Sequence, residues 1–406
     1  MAVESMTQDR DVDLRNQYTS RVFDEWTSHD IMPVAGLTNG RLHEPPGVGL
    51  PLLLVPSYAL GGATGAQLFV AALLALGFVA GAALARRLVP DPWATSAALV
   101  AGLSPPVLAW STSVTAEPVA AAAIAGAALF TLRVRDRPQF GRATVAAVLI
   151  GLLPWLSLKF LPLAILCAAA LARWLRRRRR GLIGIVALEI VLVPTVALVT
   201  VNERLYGGLT PYAAVPESAT GASTPSDYLE RVPRLVTALL DPGYGVLVWA
   251  PFGVLAFLAL ELLARSLRER LAVALPTVVD VEVTAGFLAA ICGVSLLVAA
   301  FGAPTLQGDA FPGRDLVPAM PVAAALCAWA LRHAPDVGRP LALVTVAGGA
   351  WLVIAGHVAD DAQLAPPQGP LPWGGYEVAV AVVAAAAIVG LVARELLRDL
   401  QLRDGE

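Results

Sequence analysis

A single lysine stands among 29 basic residues, and its setting is the first sign of chemistry. Lys159 lies in Trp155-Leu-Ser-Leu-Lys-Phe-Leu-Pro162, between two apolar halves. An ammonium at the centre of an apolar span costs roughly 2.5–3.5 kcal/mol on insertion scales. Two readings fit it: a side chain that snorkels to polar headgroups, or a cation held for a phosphate. Arg314, in Phe311-Pro-Gly-Arg-Asp-Leu-Val-Pro318, stands where the chain enters another apolar run. A guanidinium there can form a bidentate pair with a phosphate, or it can bond Asp315 or Asp309 nearby. Glu117-Pro118 opens a third run, where the helix dipole favours a glutamate and the first turn accepts proline, so capping is a sufficient explanation. Glu189 is in mid-run and is expected to face a bundle interior or to be protonated. The leading 63 residues hold Asp9, Asp11, Asp13, Asp24, Glu25, Asp30 and Glu44, with His29 and His43; acids of this kind are mostly solvated.

The elements that must position these residues are apolar runs. Of the 406 residues 57% are hydrophobic, above the roughly 45–50% of soluble domains. A bilayer accepts such a chain when each span is a helix that satisfies its own backbone. The expected fold class is therefore all-α, a polytopic transmembrane bundle of about eleven spans. They are placed near 64–87, 93–110, 116–132, 142–155, 158–175, 181–201, 243–265, 282–301, 316–332, 340–357 and 375–394. The fourth and fifth are short and flank Pro154-Trp155 and Lys159, where tilt or bending is expected. Between Pro46 and Leu60 the chain is apolar but broken by Pro46, Pro51 and Pro56, which reads as a short interfacial or re-entrant piece. A formal net charge of −2 gives no reason to expect nucleic acid. Cys167, Cys292 and Cys327 lie in apolar runs without C-x-x-C or Cys/His spacing, so neither a disulfide framework nor a zinc site is indicated.

Arginines set the orientation. Six clusters, around Arg86-Arg87, Arg133 to Arg142, Arg173 to Arg180, Arg265 to Arg270, Arg332/Arg339 and Arg394 to Arg403, fall at every second boundary between spans. Short arginine-rich loops stay cytoplasmic, so all six are cytoplasmic together. The run Arg176 to Arg180 reads as a stop-transfer flank beside anionic lipid. The expected arrangement is an external segment 1–63, a bundle 64–394 with an external loop 202–242, and a cytoplasmic tail 395–406, in the inner (plasma) membrane. Arg204, Arg231, Arg234 and Arg314 then lie outside. Eleven spans with the C-terminus inside put residues 1–63 outside without a signal of their own. The simplest expectation is a further helix upstream of Met1; the alternative is a partner that delivers the tail.

Several stretches, in order, resemble the GT-C superfamily of membrane glycosyltransferases, in the bacterial branch related to dolichyl-phosphate-mannose-protein mannosyltransferases. Asp11 to Tyr18 resembles the segment after the family's first acidic motif. Gly40 to Pro56 is similar to its H-x-P-G-x-P-L-L-x-x-P element, Thr115-Ala-Glu-Pro118 to its (T/S)-E-P span start, and Gly151 to Pro162 to G-x-L-P-W-x-H-x-R-F-x-P. Leu240 to Pro251 and Pro312 to Pro321 resemble two later elements. The resemblance implies transfer of a sugar from a polyprenyl-phosphate donor to a glycan, lipid or protein acceptor on the outer face. A carboxylate of the first external loop would act as base, and outer cations would hold the phosphate. Lys159 and Arg314 would be the phosphate ligands, with Glu117, His43 and Glu44 lining the pocket. A divalent metal serves some relatives, although no ligand spacing for one stands out here. The family's G-D-E-P-H-Y type motif is missing ahead of Asp11, which agrees with the expected upstream helix. Within the chain as it stands, Asp11, Asp13 or Asp24 would have to serve as base. Two rival readings stay open: a transporter or flippase, which would want inverted repeats and paired intramembrane charges, and a catalytically inactive scaffold of an envelope glycan complex.

Overall fold

The computed structural model describes residues 1–25, 31–45, 47–178, 180–215, 224–241, 244–271, 279–302 and 311–359. It is helical almost throughout. Among the described residues the strands are β1 (Leu37–Thr38) and β2 (Arg41–Leu42), an antiparallel pair with Leu37 opposite Leu42. Seven helical segments are long and apolar enough to cross a membrane: Gly49–Ala85, Ala116–Asp136, Leu158–Arg177, Gly181–Ala214, Val281–Gly302, Arg314–His333 and Pro335–His357. Three shorter apolar helices, Trp93–Gly102, Phe140–Leu156 and Pro251–Ala264, occupy places where spans were expected. The expected span 375–394 and the tail 395–406 lie outside the described residues.

Local sequence explains where the helices stop. After α1 (Ala2–Gln8) and α2 (Arg15–Thr19), α3 runs Gly49–Ala85 with a break at Gly61 and Gly62. Gly62 has φ 59° and ψ −147°, a conformation nearly closed to residues with a Cβ. The apolar piece ahead of the first span is thus a helix in its own right, despite Pro56. The expected span 93–110 is two helices, α4 (Trp93–Gly102) and α5 (Pro105–Ser111). Ser104 is extended, φ −70° and ψ 148°, because the ring of Pro105 disfavours helical geometry at the preceding residue. Next come α6 (Ala116–Asp136), α7 (Phe140–Leu156), α8 (Leu161–Arg177) and α9 (Gly181–Tyr206). The shorter α10 (Pro225–Glu230), α11 (Arg234–Leu240) and α12 (Val246–Trp249) follow, then α13 (Val254–Leu271), α14 (Val279–Leu297), α15 (Met320–His333) and α16 (Pro335–Ala359). The expected span 243–265 breaks at Ala250-Pro251 for the same reason as Ser104-Pro105.

Helices α6 and α15 are buried on nearly all sides, as expected of helices apolar all round. Alanines on α6 let its neighbours approach closely: a Cβ on Gly77 of α3 would lie 3.1 Å from the Ala122 backbone. Small residues at such crossings are the usual device of helix packing in lipid. Helix α9 is peripheral and packs against α7 and α8. Its inward positions include Ala187, Leu198 and Asn202. Glu189 follows Ala187 by two residues, about 200° around the helix, and is exposed. Of the two expectations for Glu189, the one that has it face the bundle interior is therefore corrected; the other, that it is protonated, remains an expectation.

Candidate functional site

Three chain reversals meet at one end of the bundle. The first is the start of α6, where Thr115 is extended and Glu117 sits in the first turn. The second is the break between α7 and α8: Ser157 is extended at φ −168° and ψ 141°, and a 3-10 turn Leu158–Phe160 carries Lys159. Lys159 thus occupies a sharp turn between two antiparallel helices, which resolves the bend expected at Pro154-Trp155. The third is the 3-10 turn Arg314–Ala319 that leads into α15. Gly313 opens it in the left-handed region, φ 84°, and a Cβ there would come to 3.0 Å from Val246 Cγ2. Glycine is required on both counts.

These turns bring four charges together. Lys159 Nζ donates to Glu117 Oε1 at 2.5 Å and to Asp315 Oδ1 at 2.7 Å. Arg314 Nε donates to the same Glu117 Oε1 at 2.8 Å. Lys159 therefore does not snorkel away; two carboxylates hold it. Arg314 pairs with Glu117, 197 residues distant in sequence, and Asp315 turns to Lys159 instead. Successive residues of a 3-10 turn point about 120° apart, so adjacent Arg314 and Asp315 reach different partners. Glu117 is 1% exposed and Arg314 48%. Glu117 is thus the buried hub, and Arg314 is the member that reaches the surface.

Trp110 completes the arrangement and was not singled out in the sequence. Its ring lies under the Arg314 guanidinium, 5.3 Å from Cζ, and its Nε1 donates to Phe311 O at 3.2 Å. Phe311 in turn meets Trp249 edge-on, with ring centroids 5.1 Å apart. Nothing in the sequence spacing marks Trp110, which reads simply as the end of an apolar run. Tyr212 is near enough to Arg314 to interact with it electrostatically. Glu117 Oε2 and Thr115 Oγ1 are buried without hydrogen-bond partners among the described residues.

The two cations and two carboxylates balance, so the cluster as it stands has no net charge to attract an anion. What it offers is Arg314. Its Nε bonds Glu117 and its guanidinium lies on Trp110, while 48% of the side chain is exposed. A guanidinium can take a phosphate in two parallel bonds.

The other predicted residues fall in a lobe formed by the described residues of 1–45, whose α1 packs against α3. Asp11 accepts from Ser5 Oγ at 2.7 Å and from the Asp13 amide at 3.1 Å. Asp13 accepts from the Leu42 amide at 3.0 Å and pairs with Arg15. Burial pushes the Asp13 carboxyl up, but hydrogen bonds from the Arg15 side chain and from the Leu42 and Arg15 amides prevail and hold it down at about 2. Asp24 forms a two-point pair with Arg21, and that hydrogen bonding lowers its pKa. A carboxylate held this low is a weak proton acceptor near neutral pH, and of the three only Asp11 has no cation bonded to it among the described residues. His43 is buried, donates through Nδ1 to Val12 O at 2.8 Å, and meets the Tyr206 ring edge-on. Glu44 accepts from the Val34 amide at 2.8 Å and lies within 3.5 Å of the Tyr18 hydroxyl. Burial and the nearby Glu44 charge push the Tyr18 phenol up to about 12.

No hydrogen bond joins Asp11, Asp13, Asp24, His43 or Glu44 to the charge cluster among the described residues. The bridge is the segment after α9. The Gly36 amide donates to Ala214 O at 2.8 Å, Gly47 abuts Pro211, and Tyr212 lies between these contacts and senses Arg314. Lobe and cluster thus face the same end of the bundle. Among the described residues no group of three or more His, Cys, Asp or Glu side chains could hold a metal ion. Compared with family models, with curated proteins and with solved structures, the chain matches none.

Proposed function

We propose that this chain is a multi-pass membrane glycosyltransferase of the GT-C type, taking a sugar from a polyprenyl-phosphate donor at the outer membrane surface. The observation that carries the reading is the convergence of Lys159 and Arg314, from two separate turns, on Glu117. Sidedness supports it. Helix α6 carries Glu117 at its start and Arg133 and Arg135 in its last turn, and α8 begins beside Lys159 and ends in Arg176 and Arg177. Each such helix is about 25–30 Å long at 1.5 Å per residue. The cluster and the arginines therefore occupy opposite ends. With the arginines cytoplasmic, the cluster, the lobe 1–45 and the exposed part of the Arg314 side chain are external. The three shorter apolar helices and the run 375–394 then bring the spans to eleven.

The chemistry follows from charge. The donor is a phosphodiester with one negative charge. The acceptor oxygen bonds to the anomeric carbon as the bond from that carbon to the phosphate oxygen breaks, and the phosphate keeps the electron pair. The acceptor proton passes to a carboxylate of the amino-terminal lobe, for which Asp11, bonded to Ser5 and the Asp13 amide but to no cation among the described residues, is the candidate. The leaving phosphate gains a charge, so a guanidinium at its oxygens stabilises the transition state more than the bound donor. Arg314 on its Trp110 platform does this, while Glu117 and Asp315 fix Lys159 beside it.

Full-length protein in nanodiscs, incubated with a polyprenyl-phosphate hexose and a hydroxyl acceptor, tests the reading. Arg314→Ala is expected to weaken donor binding at least tenfold with the unfolding profile retained, and Arg314→Lys to recover part of it. Equal donor binding by the native protein and Arg314→Ala rejects the phosphate role. The inactive-scaffold reading is favoured by one observation, the mutual neutralisation of the four charges. Donor binding without sugar transfer would establish it.

A further inference from the structure

The end of the bundle opposite the charge cluster is rich in arginine and differently built. Ten arginines and one acid, Asp136, occur between residues 133 and 180, leaving Lys159 aside at the far end. Two turns, α6–α7 and α8–α9, bring them together. Arg178 Nη2 donates to Arg135 O at 3.2 Å, and the Arg135 guanidinium lies 6.0 Å from the centre of the Trp174 ring. Arg142 reaches back toward Arg133 O at 3.5 Å. The two turns are therefore one surface, fixed by contacts between arginines and helix-end carbonyls.

The neighbouring α3–α4 turn shows what a merely topological pair of arginines looks like. Arg86 is paired with Asp91 at 2.7 Å, and Arg87 with Asp136. Both charges there are answered by acids, and Asp136 is thereby spent on Arg87. The adjoining α14 brings two further acids, Asp280 and Glu282; Glu282 has its own interaction, and Phe287 of the same helix meets Trp174 edge-on. Arg137, Arg173, Arg176, Arg177, Arg178 and Arg180 are all exposed, and no carboxylate pairs with any of them among the described residues. Retention of a segment in the membrane needs far fewer charges than this.

We infer that the joined α6–α7 and α8–α9 turns form a binding site for an anionic phospholipid headgroup, with guanidinium groups from both turns on its phosphates. The chemistry fits each requirement. Guanidinium takes phosphate oxygens in pairs. Helix ends at the arginine side lie at the depth of headgroups, and basic pockets between helix ends recognise lipids with several phosphates. Two separate turns match a headgroup with two phosphates better than one with a single phosphate. The site does not depend on the proposed transfer reaction and would stand if that reaction were disproved.

Native mass spectrometry of the full chain, with cardiolipin, phosphatidylglycerol or phosphatidylcholine as the probe lipid, tests it. The expected result is one saturable cardiolipin per chain, held at least tenfold more tightly than phosphatidylcholine and more tightly than phosphatidylglycerol. The exposed pair Arg137→Gln and Arg177→Gln should each weaken cardiolipin about fivefold, the size expected of one arginine at a charged surface. Arg86→Gln, whose charge Asp91 already answers, should leave it unchanged. Inorganic phosphate at millimolar concentration should fail to displace the lipid; displacement would assign the face to free phosphate and overturn the proposal. Equal weakening by Arg86→Gln, graded binding without saturation, or capture of a short single-stranded RNA in preference to lipid would overturn it as well.

Discussion

Two groups of acids share one end of this molecule and are built on different scales. In the lobe, Asp11 bonds Ser5, Asp13 bonds Arg15 and Asp24 bonds Arg21, all within six residues of chain, and the longest reach of these acids is from Asp13 to the Leu42 amide, 29 residues away. In the cluster, Glu117 reaches Lys159 across 42 residues and Arg314 across 197, and Asp315 reaches Lys159 across 156. Short-range bonds of the first kind shape turns and exist as soon as the local chain folds. Long-range bonds of the second kind exist only when three helix ends are in place. A carboxylate in the lobe can therefore change its partner without disturbing the bundle, whereas one in the cluster cannot.

Experiments that separate the two scales should differ in size. The largest effect belongs to Glu117→Ala, which leaves two cations facing each other; removing one partner of a buried pair costs about 3–5 kcal/mol, read by unfolding in detergent. Glu117→Ala combined with Lys159→Ala should cost less than the sum of the single changes, because both act through one oxygen. Additive losses would show that the four charges are not one network. An intermediate effect is expected from acid. Asp13 is held down at about 2, below the ordinary carboxylate value near 4, so its contribution is complete above pH 4 and is lost as pH falls toward 2. Limited proteolysis with an acid-active protease should show the lobe loosening across that window, and Asp13→Asn should abolish the dependence. Persistence of the dependence in Asp13→Asn would move the titration to another group. The smallest effect is at Asp24, whose pair with Arg21 is exposed on both sides. Asp24→Ala should leave unfolding unchanged; loss of sugar transfer with stability intact would make Asp24 the base in place of Asp11.

The same contrast explains what could be read from the residues alone. Lys159, Arg314 and Glu117 were conspicuous because charge in an apolar run is rare, and all three belong to the cluster. Their mutual contact was not legible, since no local pattern encodes a bond across 197 residues. Asp315 was one of two acids the sequence offered as an alternative partner for Arg314; a 3-10 turn sends its hydrogen bond to Lys159 instead, and Asp309 lies outside the described residues. Glu189 followed a rule about buried charge, but the two-residue offset from Ala187 sends it outward. Among the described residues the apolar runs coincide with helices, seven of them long enough to span, but Pro105 and Pro251 break two runs whose apolar side chains are continuous, and Pro56 fails to break a third. Trp110 carried no signal, since a tryptophan at the end of an apolar run has many ordinary uses.

The glycine pair in α3 has a mechanical meaning. The residues before it pack at Gly49 against the backbone of Trp155, where α7 ends; those after it descend through the bundle against α6. A joint at Gly61 and Gly62 lets the two halves of α3 run in different directions and keep different neighbours. Any side chain at Gly62 would strain that joint through the backbone alone, because its φ of 59° is one that residues with a Cβ rarely adopt and no neighbour among the described residues stands in the way.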